Sequence, residues 1–573
     1  MYAAVYAMFV GLLAACVYLN SLGNGFVYDD FAQVVQNPWL GDFSKIPAVF
    51  KSEVWGFHPG LHSNYYRPVM HLLNMAVYHL FGPGPMGFHL ASVLLHSVNS
   101  ALVFMLAFYI FEGAAGATAA ALFAGIIFAV HPAHTEAVDW IGGSPDLLMS
   151  FFSLCALILL VKRKSPWLQG AFFLLAMLSK EPAAMLLFSV PVFDFFLNKE
   201  RPASKAAVLK RYAPVAAALA VYLALRINAL GGFMAFKAPN QPVGGLLPAI
   251  LSAPFLFARY MAKLLLPAGL NVAYDFRPVT SLSDPRAFAG IAAVLAFAGV
   301  LILSAYKDKR ISFGLCLMVL PLVPVFYFPA LGRVAFGERY LYLPLAGFSL
   351  AAGGLFEMVL KKARSTSLRP AIAGGGFALA ALFAIATVYR NPVWKSDLTL
   401  WSDAAAKSPR GYVPLVNLGV AEFKAGDAER AIALYRNAAR LDPSDYEALF
   451  YLGKAYYSEG KTALAEGAYL EAIRRNPRFS RSYYYLGLVY SAEGKREEAK
   501  RSYLEAVSAD PLYHEAYNNL GGIYFSEGDY MRAAEAYQRA IQPGPEEKMV
   551  RFNLALALRK AREGAQSPGN RNR

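Results

Sequence analysis

The chain has 573 residues, of which 57% are hydrophobic and 16% are charged, and its net charge is +15. This composition is too apolar for a soluble protein of this length and is typical of a protein that crosses a membrane many times. Most of the positive surplus lies in residues 1–394, which hold 28 Lys and Arg against 16 Asp and Glu. Because the surplus accompanies the apolar segments, it indicates membrane topology, and no nucleic-acid partner is predicted.

The apolar runs predict about eleven membrane spans, since roughly 20 apolar residues cross a hydrocarbon core. They are 2–19, 86–111, 114–131, 146–161, 183–197, 212–229, 286–305, 311–329, 340–360 and 370–389, with a weaker run at 166–178. Two other segments are predicted not to cross. Residues 67–81 are few and carry two His and one Asn, which suits an interfacial helix. Residues 248–267 carry Arg259 and Lys263 and are interpreted as re-entrant or interfacial.

Basic loops are expected on the cytoplasmic side of a membrane. Four loops qualify: Lys162 to Lys164, Lys199 to Arg211, Lys307 to Arg310, and Lys361 to Arg369. With that assignment, the opposite side holds Asp29 and Asp30, which directly follow the first span. It also holds the loops at 131–146, 179–182 and 333–340 and the C-terminal part of the chain. Ionisable groups at membrane depth are costly, so their concentration there predicts a functional site.

The residue types at this predicted site suit transfer from a lipid phosphate. Asp29 or Asp30 could act as a general base on an acceptor hydroxyl. Four cations could bind the donor phosphate, with Arg offering two parallel hydrogen bonds: Lys180, Arg339, Arg333 and Arg67. The remaining pocket candidates are Tyr66, His131, His134, Glu136, Asp146, Glu181, Glu338 and Tyr340. Glu338 and Arg339 could instead form a local ion pair.

His131, His134 and Glu136 also have a weak similarity to a metal site, since a His-x-x-His spacing with a nearby carboxylate occurs among zinc ligands. A hydrogen-bonding role in the pocket, or a plain role at a helix end, is the alternative. No cofactor is firmly predicted, and a divalent metal is left open. The chain has no Gly-rich nucleotide cradle, which disfavours a soluble nucleotide donor.

From about residue 410 the sequence repeats every 34 residues. The pair Leu-Gly recurs at 418, 452, 486 and 520, and Tyr recurs at 435, 469, 503 and 537. Pro recurs at 409, 443, 477, 511 and 545. This is the tetratricopeptide pattern of paired helices, with small residues where the helices cross. It predicts four repeats and a capping helix over 395–562, followed by a polar, disordered tail at 563–573.

Several motifs, taken together along the full chain, resemble the transmembrane and tetratricopeptide-repeat-containing proteins. That family belongs with the GT-C glycosyltransferases. The motifs are Phe26-Val27-Tyr28-Asp29-Asp30 with Asn37-Pro38, Tyr65-Tyr66-Arg67-Pro68, Gly87-Phe88-His89-Leu90 with Leu95-His96, His131-Pro132-x-His134-Thr135-Glu136-x-Val138, Leu178-Ser179-Lys180-Glu181 and Glu338-Arg339-Tyr340-Leu341-Tyr342.

The resemblance implies a polyprenyl-phosphate sugar donor that is used at the non-cytoplasmic face. It places the catalytic acid in the first outer loop, at Asp29 and Asp30, with Asp29 slightly favoured. It also implies inversion at the anomeric carbon and, from the family's animal members, transfer of mannose to Ser or Thr hydroxyls of proteins. Residues 142–146 read Gly-Gly-Ser-Pro-Asp, where the family pattern has a basic residue before the Asp. This departure shifts the expected phosphate contacts to Lys180 and Arg339.

The predicted fold is therefore all-α, with a GT-C-like membrane domain over 1–394 followed by a tetratricopeptide-repeat solenoid. The predicted function is a membrane glycosyltransferase whose repeats bind a protein or peptide acceptor. The alternative is a non-catalytic, membrane-bound repeat scaffold for envelope or complex assembly. Short loops and Ala-rich spans favour a bacterial inner membrane with periplasmic repeats, or an endoplasmic-reticulum membrane with lumenal repeats if the chain is eukaryotic.

Overall fold

The computed structural model describes residues 2–58, 62–114, 116–198, 204–232, 246–331, 334–363, 368–541 and 547–566. Across these ranges the regular structure is helical, as the sequence predicts. The chain divides into two compact units, Met1–Ser408 and Pro409–Arg573. The sequence analysis places the boundary at 394/395. In the structure the first unit continues to Ser408, and it therefore includes the helix Asp397–Lys407.

The first unit holds sixteen α-helices in its described residues. They are α1 Tyr2–Val17, α2 Ile46–Lys51, α3 Pro68–Phe81, α4 Pro85–Phe111, α5 Ala117–Val130, α6 Thr135–Asp139, α7 Ser144–Val161, α8 Pro166–Ser179, α9 Ser189–Phe196, α10 Lys205–Leu230, α11 Leu246–Leu265, α12 Pro285–Lys307, α13 Lys309–Val319, α14 Tyr342–Lys362, α15 Leu368–Arg390 and α16 Asp397–Lys407. Short 3₁₀ helices join several of them, and a π-helix lies at Phe31–Val35.

Within the described ranges, seven helical segments are long and apolar enough to cross a membrane, or eight if one bent pair is counted. The sequence predicts about eleven spans, and the difference has three local causes. Helices α1 and α8 are shorter than a full span. Residues 117–139 bend by 49° around Pro132, whose missing N–H interrupts the helical hydrogen bonds. Residues 181–196 form a 3₁₀ helix followed by the short α9. Helices α3 and α11 are not among the spans, as predicted.

Helix ends bring polar residues to one end of the membrane unit. Helix α7 begins with Ser144-Pro145-Asp146, where Pro suits the first turn and an acidic side chain faces the positive end of the helix dipole. Helix α8 ends at Ser179, immediately before Lys180. A 3₁₀ turn at Glu338–Leu341 leads into α14. Side chains at these helix ends therefore lie close together, as described below.

The second unit is a series of helical hairpins. Its helices are α17 Tyr412–Lys424, α18 Ala428–Leu441, α19 Glu447–Ser458, α20 Thr462–Arg475, α21 Ser480–Ala492, α22 Arg496–Ala509, α23 His514–Ser526, α24 Tyr530–Ala540 and α25 Glu547–Gln566. In each hairpin the Gly of the Leu-Gly pair contacts the Tyr ring of the next helix, so closely that a Cβ would meet it at 2.5–2.7 Å. Helix α25 extends through 563–566, which corrects the start of the predicted tail, and 567–573 lie outside the described residues.

Candidate active site

The two predicted catalytic carboxylates have different environments. Asp30 is fully buried and accepts two backbone hydrogen bonds, from Val27 at 3.1 Å and from Gly142 at 2.9 Å. Burial raises the pKa of Asp30 to about 8, although the two hydrogen bonds oppose the shift. The side chain therefore joins the loop after α1 to the loop before α7, and it is not open to a substrate.

Asp29 is half-buried, and the described residues give its carboxylate no hydrogen-bond donor. Burial raises its pKa to about 6, and the positive charge of Arg339 opposes the rise. Asp29 is thus ionised at neutral pH and has unused acceptor capacity. The preceding residue, Tyr28, has a φ of +53°, a left-handed conformation that is costly for a bulky side chain. A π-helix begins two residues after Asp29, and such turns are frequent at functional sites.

Three ion pairs form between residues that the sequence singles out. Lys180 Nζ lies 2.5 Å from Asp146 Oδ2, and both side chains are buried. Arg67 Nη2 lies 3.0 Å from Glu181 Oε2. Arg339 pairs with the buried Glu136, which also accepts the Arg339 backbone N–H at 2.9 Å. Each predicted phosphate-binding cation described by the structure thus has its own carboxylate.

The three cations also interact with one another. Burial lowers the pKa of Lys180 to about 8; Asp146 opposes the shift, and the charges of Arg67 and Arg339 favour it. Lys180 Nζ and the Arg339 guanidinium each lie 4.8 Å from the centre of the Tyr340 ring. A cluster of this kind is chemically able to hold an anionic oxygen, because each ammonium or guanidinium keeps donors beyond those used by its carboxylate.

Aromatic residues that the sequence analysis does not select complete the site. The Trp140 ring lies 5.4 Å from the Arg339 guanidinium and 6.0 Å from the Tyr28 ring. Tyr28 also contacts Trp401 at 5.3 Å and donates its backbone N–H to Asp397 at 2.8 Å. The sequence signal that could reveal Trp140 is a tryptophan placed between two polar loop motifs, directly before Gly-Gly.

Several predicted residues lie elsewhere. Glu338 and Arg339 are not paired with each other, since consecutive residues of a 3₁₀ helix point in different directions. Glu338 instead accepts the Asn271 backbone N–H at 2.6 Å, contacts the Tyr274 hydroxyl, and lies 3.8 Å from Arg390. Glu338 therefore stabilises a separate buried cluster.

The remaining predicted pocket residues are mostly structural. His131 Nε2 bonds to the Leu264 carbonyl at 3.1 Å. His134 is fully buried against Phe128 and Tyr342. The Tyr66 hydroxyl donates to the Phe50 carbonyl at 3.0 Å. Arg333 lies outside the described residues.

The weak metal-site hypothesis does not fit this geometry. Both ring nitrogens of His131 are already hydrogen-bonded, to the Leu264 carbonyl and to the Ala133 N–H, and Glu136 is occupied by Arg339. Among the residues that the structure describes, no group of three or more His, Cys, Asp or Glu side chains could hold a metal ion. His131, His134 and Glu136 are therefore not a ligand set.

The fold and the site define a class: a polytopic membrane protein with a charged, aromatic-lined site at helix ends and a tetratricopeptide-repeat unit. Residues 58–227 match the family described as dolichyl-phosphate-mannose-protein mannosyltransferase. Residues 416–480, 484–548 and 525–566 match the tetratricopeptide repeat. Over most of its length the chain is therefore similar to proteins named protein O-mannosyl-transferase, which supports a relationship to the GT-C, O-mannosyltransferase-like proteins.

Two relatives illustrate the similarity. The chain is 26% identical to protein O-mannosyl-transferase F38B6.6 of Caenorhabditis elegans, over 71% of this chain and 58% of that protein. It is 26% identical to protein O-mannosyl-transferase TMTC3 of Homo sapiens, over 74% of this chain and 50% of that protein. The chain thus spans about half the length of the curated relatives it matches. Among solved structures, the crystal structure of MamA aligns with 29% of this chain and 88% of that chain, at 24% identity and a TM-score of 0.24.

Proposed function

We propose that this integral membrane protein is a glycosyltransferase that moves a sugar, mannose in the first instance, from a polyprenyl-phosphate donor to a hydroxyl of a protein acceptor. The observation that carries the proposal is the contrast between Asp29 and the other acidic groups of the site. Asp30, Asp146, Glu136 and Glu181 are all engaged by backbone amides or cations. Asp29 alone combines an unused carboxylate with a position near a cation.

In the proposed reaction, Asp29 accepts the proton of the acceptor hydroxyl as its oxygen attacks the anomeric carbon. The bond between the anomeric carbon and the phosphate oxygen breaks, and polyprenyl phosphate leaves with the electron pair. One displacement of this kind inverts the anomeric centre. Lys180, Arg339 and Arg67 are positioned to stabilise the charge on the leaving phosphate. Asp30 positions Asp29 by holding the loop that carries both residues.

The proposed orientation places this site on the non-cytoplasmic side, following the charge rule applied to the four basic loops. In a bacterium this is the periplasmic side of the inner membrane, and in a eukaryote the lumen of the endoplasmic reticulum. We assign the repeats to the same side, where they would bind the protein acceptor. The tetratricopeptide match and the names of the relatives support an acceptor of this class.

The test uses the purified full chain with polyprenyl-phosphate mannose and a Ser/Thr-rich protein acceptor, with release of labelled sugar to acceptor or water as the readout. Asp29→Asn is expected to lower transfer by roughly 10²- to 10⁴-fold, the usual contribution of a general base. Asp42→Asn is the matched control, since Asp42 only caps a short turn outside the site. Wild-type transfer in Asp29→Asn would overturn the assignment of the base. If wild-type protein neither hydrolyses nor transfers any polyprenyl-phosphate sugar, the scaffold alternative is favoured.

A further inference from the structure

A cavity lies at the opposite end of the membrane unit from Asp29. It has a volume of about 1300 Å³ and is formed where α4, α7, α9 and α12 end and α13 begins. Helix α7 reaches the candidate active site with Asp146 and this cavity with Val161. At 1.5 Å per residue the two ends are roughly 22 Å apart, so the cavity is separate from the site described above.

The polar part of the lining holds three cations, two acids and one amide, so it has a net positive charge. The cations are Arg163, Lys309 and Arg310. Of the two acids in the lining, Asp194 is engaged, since Arg211 donates to it at 2.7 Å, whereas Glu112 forms no ion pair within the described residues. Arg310 lies 2.5 Å from Asp308 and 3.3 Å from Glu357, and Lys361 lies 2.5 Å from Glu357. Lys309 is exposed and forms no ion pair within the described part of the chain.

The rest of the lining is aromatic and aliphatic and extends to the surface of the helices. Phe195 and Tyr306 are 75% and 86% exposed, although both follow apolar helical stretches. Aromatic side chains in this position are typical of the boundary between the hydrocarbon core and the lipid headgroups. The cavity therefore presents cations beside an apolar surface, which is the arrangement that matches a lipid rather than a soluble anion.

We propose that this cavity binds an anionic phospholipid of the surrounding membrane. The lipid phosphate lies against Lys309 and Arg163, and its acyl chains lie along Phe195 and Tyr306. Basic pockets between helices on the cytoplasmic side are suited to anionic headgroups, and the charge rule assigns this end of the membrane unit to the cytoplasmic side. The site is independent of the glycosyltransferase proposal, since none of its residues belongs to that site.

The experiment places the purified full chain in phosphatidylcholine nanodiscs containing labelled phosphatidylglycerol and measures bound label. The test variant is Arg163→Asn with Lys309→Ala; Asn tolerates the left-handed backbone of Arg163, which has φ +50°. Loss of two positive charges is expected to weaken binding by about 25-fold, from about fivefold for each charge. Lys362→Ala is the matched control, because Lys362 is exposed at the same end but does not line the cavity.

Three outcomes would overturn the proposal. The first is equal binding by the double variant and the control. The second is equal enrichment of labelled phosphatidylcholine, and the third is displacement of the lipid by millimolar inorganic phosphate, which would identify a simple anion site. Size-exclusion chromatography checks that the double variant folds. Tyr306→Ser provides a second test, since its largely exposed side chain can be shortened without disturbing the interior, and it is expected to lower lipid binding with the charges intact.

Discussion

The backbone N–H of Gly142 donates a hydrogen bond of 2.9 Å to Asp30 Oδ1, which joins two loops that are 112 residues apart in sequence. The contact requires a glycine, because a Cβ at residue 142 would lie 2.6 Å from the Trp140 ring. Gly142 therefore has a structural role here. It lets the loop before α7 approach Asp30, while the preceding residue, Asp29, has an unused carboxylate.

This relationship predicts different effects for the two Asp→Asn substitutions on stability. In Asp30→Asn, the amide NH₂ would face one of the two backbone N–H donors, and the lost buried hydrogen bond is expected to cost about 1–3 kcal/mol. Asp29→Asn removes no protein hydrogen bond and is expected to change the free energy of unfolding by less than ~0.5 kcal/mol. Thermal unfolding of the detergent-solubilised variants measures both. Equal destabilisation would contradict the division of roles.

The pKa of Asp29 predicts the pH dependence of transfer. A base must be ionised, so kcat/KM is expected to fall about tenfold for each pH unit below about 6, where Asp29 becomes protonated. Arg339 opposes the rise in this pKa, so Arg339→Gln is expected to move the acid limb to higher pH. Arg339→Lys keeps the charge and serves as the control. An acid limb that stays at the same pH in Arg339→Gln would show that another group titrates.

The Lys180–Asp146 pair allows stability to be separated from activity. Lys180→Met leaves a buried carboxylate without its cation, which is expected to cost about 3–5 kcal/mol. In the double variant Lys180→Met with Asp146→Leu, both charges are absent, and most of that stability is expected to return. Transfer is expected to stay low in the double variant, since the proposed phosphate contact is still missing. Recovery of transfer together with stability would restrict Lys180 to a structural role.

The repeat unit offers a matched pair of glycines. A Cβ at Gly453 would lie 2.7 Å from the fully buried Tyr469 ring, so Gly453→Ala is expected to destabilise the solenoid by about 1–3 kcal/mol. Gly467 lies in the middle of α20 with nothing within 4 Å of such a Cβ. Gly467→Ala is therefore expected to stabilise the helix by about 0.5–1 kcal/mol. The helical circular dichroism signal during thermal unfolding reports both changes, and destabilisation by both would contradict the packing argument.

Structure is easiest to predict from sequence where the contacting residues lie close together along the chain. The 34-residue period identifies the hairpins because each Gly–Tyr contact lies within one repeat. The spans are less certain: 183–197 is apolar enough to cross, but Pro191 lacks the N–H needed to continue one long helix, and the segment contains a 3₁₀ helix.

The pairing within the candidate site could not be read from sequence. The loops that the charge rule assigns to one side do supply residues that contact one another. The partners, however, are separated by 34, 114 and 203 residues in the pairs of Lys180, Arg67 and Arg339. Nothing local shows that Glu136 is the partner of Arg339 while the adjacent Glu338 bonds to Asn271 and Tyr274. Only the tertiary packing of several helix ends determines these contacts.

The Gly–Tyr contact of the repeats has a consequence for how the solenoid can change length. Each hairpin carries its own copy of the contact, at Gly419 and Tyr435 and at each later step of 34 residues. One whole hairpin can therefore be inserted or removed while every remaining hairpin keeps the same internal neighbours. The length of the solenoid can therefore change in steps of one hairpin, without any change to the residues of the candidate active site.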